Sequence, residues 1–201
     1  MNITTPKGIA IYPRIKEPDT KFNVDGVYSA KIHVSEGDFN AFKSQIDKWF
    51  EGAYKTLCEE NGNKKLRKSL TSPLTITDDG DYQIFAKQIA RKQTKKGELT
   101  FTIAVFDSKG VKIPEAPNVG SGSTLKLSVE PYAWYSPTVG AGYTLRLKAV
   151  QVIELVEYGS QANDNFGFSS EANGYVSDGE SFNQAFKDED DNEKGDAKVP
   201  F

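Results

Sequence analysis

Two adjoining stretches decide the fold: Val27-Tyr28-Ser29-Ala30-Lys31-Ile32-His33-Val34 and Ser35-Glu36-Gly37-Asp38. In the first, apolar and polar residues alternate, as they do in a strand whose side chains point in turn to opposite faces. Its apolar face holds Tyr28, Ala30, Ile32 and Val34, and its polar face holds Lys31 and His33. The second is a serine followed three residues later by a carboxylate, which is a helix start signal. The sequence therefore predicts a strand that leads directly into a helix.

An amphipathic helix is predicted after Asp38, because the spacing of apolar residues changes from two to three and four. The apolar positions are Phe39, Phe42, Ile46, Trp49, Ala53 and Leu57. Asn61-Gly62-Asn63 is expected to end the helix. An aromatic stripe at helical spacing is typical of a packed core, so Phe42 and Trp49 are assigned to packing and not to a ligand site.

Alternating runs on both sides of the helix predict further strands. In Gly8-Ile9-Ala10-Ile11-Tyr12-Pro13-Arg14-Ile15-Lys16 the isoleucines are assigned to one face and Tyr12, Arg14 and Lys16 to the other. Later strands are predicted at residues 82–92, 99–107, 124–134 and 143–158. Together these runs predict a mainly β protein, a β-barrel with one inserted amphipathic helix.

The last predicted strand changes phase part-way along its length. Its first half alternates between an apolar set and a polar set: Tyr143, Leu145 and Leu147 against Thr144, Arg146 and Lys148. After Ala149, valines fall on the polar phase at Val150 and Val152. A bulge, or a bend at a barrel corner, would produce this change.

Charge divides the chain into a basic body and an acidic tail. Residues 1–158 carry 22 basic and 18 acidic side chains, a net +4, whereas residues 159–201 carry 3 and 10, a net -7. The tail is rich in Gly, Ser, Asn and Asp, a composition that predicts disorder. It contains the run Asp188-Glu189-Asp190-Asp191 and ends in Lys198-Val199-Pro200-Phe201. A basic body joined to an acidic tail favours nucleic acid as a partner.

The residue inventory argues against an enzyme, a metal site and a cofactor. The single cysteine, Cys58, and the single histidine, His33, lack the companions of a zinc site or a catalytic pair. Asp78-Asp79-Gly80-Asp81 is interpreted as a turn, and Gly120-Ser121-Gly122-Ser123 as a barrel loop. A nuclease using the three aspartates stays open as a rival. No run approaches the roughly 20 apolar residues of a membrane span, so we expect a soluble, unprocessed protein in a reducing cytoplasm.

Aromatic rings and cations lie close together along the predicted strands, which is what binding of unpaired nucleic acid requires. The hairpin at residues 91–97 is the strongest basic cluster. Tyr12, Phe85 and Trp134 are the rings expected to stack on bases. The full predicted binding set is Tyr12, Arg14, Lys31, Phe85, Lys87, Arg91, Lys92, Lys95, Lys96, Trp134, Tyr135, Tyr143, Arg146 and Lys148.

Several stretches, taken in order, resemble a family of tailed-phage single-stranded DNA-binding proteins with an OB-fold. The resemblance spans nearly all of residues 1–158. It begins with the opening strand, Pro18-Asp19 and Phe22, and is carried further by Gly26-Val27-Tyr28-Ser29-Ala30-Lys31, by Pro114 to Pro117 with Val119-Gly120-Ser121-Gly122-Ser123, and by Gly140-Ala141-Gly142-Tyr143-Thr144-Leu145-Arg146-Leu147-Lys148-Ala149-Val150-Gln151-Val152-Ile153.

This resemblance implies an OB-fold-like Greek-key barrel that binds unpaired DNA during phage replication and recombination, in the cytoplasm of the infected host. It also implies that the tail recruits replication or recombination proteins and competes for the DNA groove, through Asp188, Glu189, Asp190, Asp191 and Phe201. The tail departs from the usual arrangement because Ala197-Lys198-Val199-Pro200 separates Asp196 from the final ring. A homodimer, RNA binding, and a barrel that binds only proteins stay open.

Overall fold

A computed structural model describes residues 1–95 and 97–157, and this part of the chain contains one helix and eleven strands. The helix, α1, spans Glu36–Glu60. The strands are β1 (Ile3–Thr4), β2 (Gly8–Asp19), β3 (Val27–Val34), β4 (Leu74–Ile76), β5 (Tyr82–Ile89), β6 (Arg91–Thr94), β7 (Gly97–Thr100), β8 (Ala104–Phe106), β9 (Lys112–Ile113), β10 (Thr124–Ser136) and β11 (Gly140–Glu154).

Five strands close into a barrel in the order β2-β3-β5-β11-β10 and back to β2. All neighbours are antiparallel except β5 and β11, which run parallel. This five-stranded order confirms the OB-type barrel. The short strands β1, β4, β8 and β9 extend the sheet at its margins, and β6 and β7 form a separate hairpin.

The inner wall of the barrel is apolar and the helix packs on the same core. On β3 the burial alternates strictly, so the inward set is the one predicted from the sequence. Phe39, Phe42, Ile46 and Phe50 of α1 are buried, and Trp49 is partly buried against the core. The assignment of Phe42 and Trp49 to packing is therefore confirmed.

Ser35 caps α1 as its spacing predicts. The backbone N–H of Asp38 donates to Ser35 Oγ at 3.2 Å, and Ser35 Oγ donates to a carboxylate oxygen of Asp38 at 2.8 Å. The first bond satisfies one of the amide groups that a helix start leaves without a partner. The helix ends at Asn61, whose N–H bonds back to carbonyls of the last turn.

The prediction that the isoleucines of β2 share the inner face is wrong for Ile9 and Ile11, because the strand contains a bulge. Ile11 lies opposite Lys31 and Arg14 opposite Ser29, so β2 has one residue more than β3 over this interval. Ala10 is buried before the bulge and Ile15 after it, whereas Ile9 is 53% exposed. A bulge reverses the alternation of faces, which a fixed period of two cannot anticipate.

The bulge predicted in the last strand is confirmed. Ser128 of β10 lies opposite Ala149, and Val129 lies opposite Leu147, so Lys148 is the extra residue of β11. Leu147 and Val150 are consequently both buried although they are three positions apart.

Two further predictions about strands and turns have clear outcomes. The run predicted as one strand at 99–107 is divided between β7, which pairs with β6, and β8, which pairs with β11. The stretch Asp78-Asp79-Gly80-Asp81 is a turn, closed by hydrogen bonds between Thr77 and both Gly80 and Asp81. In the described ranges, α1 lacks the length of apolar sequence needed to cross a membrane.

The predicted tail lies outside the described residues, and so does the boundary proposed for it at residue 159. Lys96 of the basic hairpin lies outside them as well.

Loss of the Ser35 cap should destabilise the protein without changing its fold. We expect Ser35→Ala to lower the free energy of unfolding by about 1 kcal/mol, because the amide of Asp38 loses its acceptor. Urea unfolding followed by circular dichroism measures this. Ser35→Asp keeps an acceptor and is the control; equal losses in both variants would contradict the capping role.

Candidate nucleic-acid interface

A row of cations crosses four strands on the outer wall of the barrel. Arg14 of β2 lies opposite Ser29 of β3, Ser29 lies opposite Lys87 of β5, and Lys87 lies opposite Arg146 of β11. Neighbouring strands are about 4.8 Å apart, so the row extends over roughly 15 Å. The residues next to these cations in the chain, Ile15, Ala86, Leu145 and Leu147, are buried in the core, so the charged groups face outward.

Of these cations, Arg14 lines a separate depression, whereas Lys87 and Arg146 border a cleft of about 340 Å³, which we call the basic cleft. Its middle is formed by the end of β5, one side by the loop at residues 20–26 with β6, and the other side by β11. Four of its side chains are cationic. The lining residues are Asn23, Val27, Lys87, Gln88, Ile89, Lys92, Phe101, Thr144, Arg146 and Lys148.

Arg146 stacks on the ring of Tyr132. The guanidinium carbon lies 3.5 Å from the ring centroid, a close cation–π contact. The ring is 45% exposed, so part of its surface stays open to solvent. Tyr132 follows Glu130, which lies opposite Arg146, by two positions on the outer phase of β10. Strand pairing thus places an exposed ring at the border of the basic cleft.

Lys148 is held at the cleft by an ion pair with Glu130. Its ammonium nitrogen lies 2.8 Å from a carboxylate oxygen, and the bond from Lys148 lowers the pKa of Glu130 below its ordinary value of 4.5. Stabilisation from this pair is complete above the ordinary carboxyl pKa and is lost as the pH falls through the lowered one. At neutral pH, a phosphate at Lys148 has to compete with this carboxylate.

Comparison with known proteins assigns the chain to a family. The sequence model of one protein family, described as the single-stranded DNA-binding protein of bacteriophage T7, matches residues 7–155. The chain belongs to this family. The single-stranded DNA-binding protein of Enterobacteria phage T3 is 34% identical over 170 residues, covering 77% of this chain and 73% of the relative. Its counterpart from Escherichia phage T7 is 32% identical over 173 residues, covering 78% and 74%.

The crystal structure of the T7 single-stranded DNA-binding protein superimposes on this chain with a TM-score of 0.66. The match covers 88% of this chain and 98% of that chain, at 30% sequence identity. The likeness therefore extends over the whole barrel, including the strands that carry the basic cleft.

In this member of the T7 family, the basic cleft gathers four residues predicted from the sequence. They are Lys87, Lys92, Arg146 and Lys148. Two more predicted residues, Lys31 and Phe85, lie opposite each other on the outer wall of β3 and β5. Arg91 points elsewhere, because its guanidinium donates to the carbonyl oxygen of Val24 at 2.8 Å. Lys95 is at the tip of the hairpin.

Tyr143 does not belong to this interface. Only 9% of its surface is exposed, and its ring centroid lies 5.0 Å from that of Phe50 and 6.2 Å from that of Trp49. Burial raises the pKa of its hydroxyl, which lies 3.4 Å from Ser72 Oγ. A ring enclosed in this way cannot stack on a base, so the prediction for Tyr143 is wrong.

Tyr12 and Trp134, two of the rings predicted to stack on bases, both lie outside the lining of the basic cleft. Tyr12 is 74% exposed on the β2 bulge, where its backbone N–H bonds Ser121 Oγ, and it does not line the basic cleft. Trp134 lies against Gly142, its partner on β11. Together with Tyr132 and Tyr135 it borders a second depression, of about 660 Å³, beside the last turns of α1. The ring of Tyr132 thus connects the basic cleft to this depression.

Two aromatic residues of the interface were not among those predicted from the sequence: Phe101 and Tyr132. Tyr132 could have been found, because it shares the outer phase of its strand with Trp134. Phe101 lines the basic cleft only because the chain turns between β7 and β8, and no local pattern indicates that.

Placing a methyl group under Trp134 should displace its indole. A Cβ at Gly142 would lie 2.7 Å from Trp134 Cζ2, so we expect Gly142→Ala to lift the ring and lower stability by about 1 kcal/mol. Tryptophan emission in a Trp49→Phe background should shift to the red.

Gly52→Ala is the matched control, since its Cβ would meet nothing within 4 Å. Gly52 lies inside α1, where alanine is favoured over glycine, so Gly52→Ala should raise the free energy of unfolding by about 1 kcal/mol. Unchanged emission in Gly142→Ala would show that the indole does not rest on Gly142.

Proposed function

We propose that this chain binds single-stranded DNA with little regard to sequence, and that it coats unpaired DNA during phage replication and recombination in the infected bacterium. The observation that carries the proposal is the row of Arg14, Lys87 and Arg146 beside an exposed, cation-capped tyrosine. Cations that follow a phosphate track and rings that stack on bases are the two requirements of such binding. Membership of the family supports the same conclusion.

In the proposed complex the sugar–phosphate chain crosses the strands of the barrel along this row. Arg14, Lys87 and Arg146 neutralise successive phosphates, and Lys92 contributes from the hairpin. Each contact releases a bound counterion, which changes the slope of log affinity against log salt by about -0.7 for a single strand. These four contacts therefore predict a slope of about -3.

Bases turn toward the rings in this arrangement. Arg146 covers part of Tyr132, so a base stacks on the part left open or slides against the guanidinium itself. Trp134 rests on Gly142 and lines the second depression, and Phe85 lies opposite Lys31. Every base has a π-face, whereas a duplex hides the faces of its bases in the stack. The arrangement therefore prefers unpaired strands and tolerates any sequence.

We further propose that the acidic tail competes with DNA for the basic cleft and recruits replication or recombination proteins. The tail carries -7 and the body +4, so attraction between them needs no specific contact. The opposite charges of tail and body support the competition, and the resemblance to the phage family supports the recruitment.

Removing the ring of Tyr132 should weaken DNA binding, whereas removing only its hydroxyl should have little effect. We expect Tyr132→Ala to lose about 1–3 kcal/mol of binding free energy for an oligo(dT) strand, and Tyr132→Phe to lose far less. Fluorescence anisotropy measures both, with oligo(rU) and duplex DNA as competitors. Equal affinity of all three proteins would exclude Tyr132 as a stacking residue, and failure of the unmodified protein to bind would refute the proposed function.

Deleting residues 159–201 should tighten DNA binding most strongly at low salt. Salt weakens the attraction of the tail as well as that of DNA, so the difference between full-length and truncated protein should shrink as salt rises. Titrations of both proteins at several salt concentrations test this. A full-length variant with Asp188, Glu189, Asp190 and Asp191 changed to the amides is the control for chain length. Identical affinities of full-length and truncated protein at low salt would rule out competition by the tail.

A further inference from the structure

Strand β2 holds Tyr12 in a backbone conformation that aromatic residues rarely adopt. Its φ is +45°, in the left-handed region that favours glycine. In the described part of the chain, the other non-glycine residue with a positive φ is Asn63, just after α1, and asparagine tolerates this conformation. Strain of this kind persists where the surrounding structure holds it, and it is concentrated at functional sites. Glycine would form the same bulge without strain, so the side chain of Tyr12 needs an explanation.

The bulge turns the ring of Tyr12 outward. Ala10 is buried, and in a strand of regular period two the residue two positions later would face the core as well. The extra residue of the bulge shifts the phase, so that Tyr12 is exposed. A strained backbone at this position therefore has one clear effect, which is to present an aromatic ring to solvent.

The hydroxyl of Ser121 supports the bulge. A bulge disrupts the regular ladder of hydrogen bonds, and the backbone N–H of Tyr12 instead donates to Ser121 Oγ at 2.9 Å. The same loop bonds β2 twice more. The N–H of Gly122 donates to the carbonyl oxygen of Ala10 at 3.0 Å, and the N–H of Ala10 donates to that of Ser123 at 2.8 Å.

This loop is also fastened on its other side. Ser123 is buried, and its Oγ donates to the carbonyl oxygen of Val156 at 3.1 Å and accepts from the N–H of Val156 at 2.9 Å. The N–H of Gly120 donates to the same carbonyl oxygen at 2.7 Å. Residues 120–123 therefore form an ordered bridge between β2 and the segment that follows β11, and Ser121 holds the bulge from a fixed position.

The ring of Tyr12 lies on the outer wall beside the row of cations. Ile11, its neighbour in the chain, lies opposite Lys31, and Lys31 lies opposite Phe85. Arg14, the β2 member of the row of cations, follows Tyr12 by two positions and is exposed as well. The strands on both sides of Lys31 therefore each carry an aromatic residue next to the row of cations.

We propose that Tyr12 is a base-stacking residue at the β2 end of the row of cations, and that Ser121 is a positioning residue that fixes the bulge from which the ring projects. This inference rests on the proposed binding of single-stranded DNA. Two positions along a strand span about 7 Å, so a phosphate at Arg14 places the adjoining base near the exposed ring. Ser121 acts through the backbone of Tyr12 and does not contact DNA.

Three substitutions at position 12 separate the ring from the backbone. Tyr12→Ala should weaken oligo(dT) binding about tenfold, and Tyr12→Trp should restore it, because any aromatic face can stack. Tyr12→Gly should unfold at a higher urea concentration than Tyr12→Ala, because glycine adopts a positive φ without steric strain, and yet bind as weakly as Tyr12→Ala. Val111→Ala, in the exposed turn between β8 and β9, is the matched control away from the row of cations.

A double-mutant cycle tests whether Ser121 acts through Tyr12. Ser121→Ala should weaken binding in the wild-type background but change it by less than about twofold in the Tyr12→Ala background. Ser121→Thr keeps the hydroxyl and should bind as the unmodified protein does. Arg14→Ala should reduce the magnitude of the salt slope by about 0.7, whereas Tyr12→Ala and Ser121→Ala should leave the slope unchanged.

The outcomes distinguish this inference from the proposed function. If the unmodified protein binds oligo(dT) and Tyr12→Ala binds equally well, Tyr12 does not stack on a base. Normal binding by Tyr12→Gly would show that the shape of the backbone matters and the ring does not. Equal losses from Ser121→Ala in both backgrounds would show that Ser121 does not act through Tyr12. Failure of the unmodified protein to bind any single strand would overturn both proposals. Thermal unfolding of each variant confirms that the barrel is intact.

Discussion

The parallel contact between β5 and β11 is the constraint on which the outer wall depends. Closing the sheet requires it, and it sets Arg146 opposite Lys87, where two like charges repel across neighbouring strands. The apolar inner wall outweighs this repulsion, because the same strands bury Ile84, Leu145 and Leu147. A polyanion lying across both strands would relieve the repulsion. The pairing that packs the core on the inner wall therefore also brings the two cations together on the outer wall.

Local patterns predicted the elements that obey a single period. Strand β3, helix α1 with its Ser35 cap, and the bulge in β11 follow from alternation, helical spacing and one visible break in phase. Alternation does not predict the faces of β2, because isoleucines occur on both sides of its bulge at Tyr12 and no break in phase is visible in the sequence. Tyr143 is a different case: its alternation with Leu145 and Leu147 places it inside the barrel, although Arg146, three positions later, faces outward.

The site itself depends on register between distant segments, which no local pattern contains. Arg146 reaches Tyr132 because β10 and β11 pair antiparallel, and it meets Lys87 because the barrel closes. Composition indicated that cations and rings would be available, and the strand pairing determines which of them meet. Arg91 shows the limit most clearly, since a cation in the richest basic cluster of the sequence bonds a backbone carbonyl of its own protein.

The extra residue at Lys148 changes which residues of β11 face the interior of the barrel. Before Lys148 the odd-numbered residues face the interior, and after it the even-numbered ones do, so the charged half and the apolar half of β11 are out of step by one residue. A sequence of the same composition without this offset would send either its cations inward or its valines outward. Inserting or deleting one residue elsewhere in β11 would therefore move every later side chain of the strand to the opposite face of the sheet.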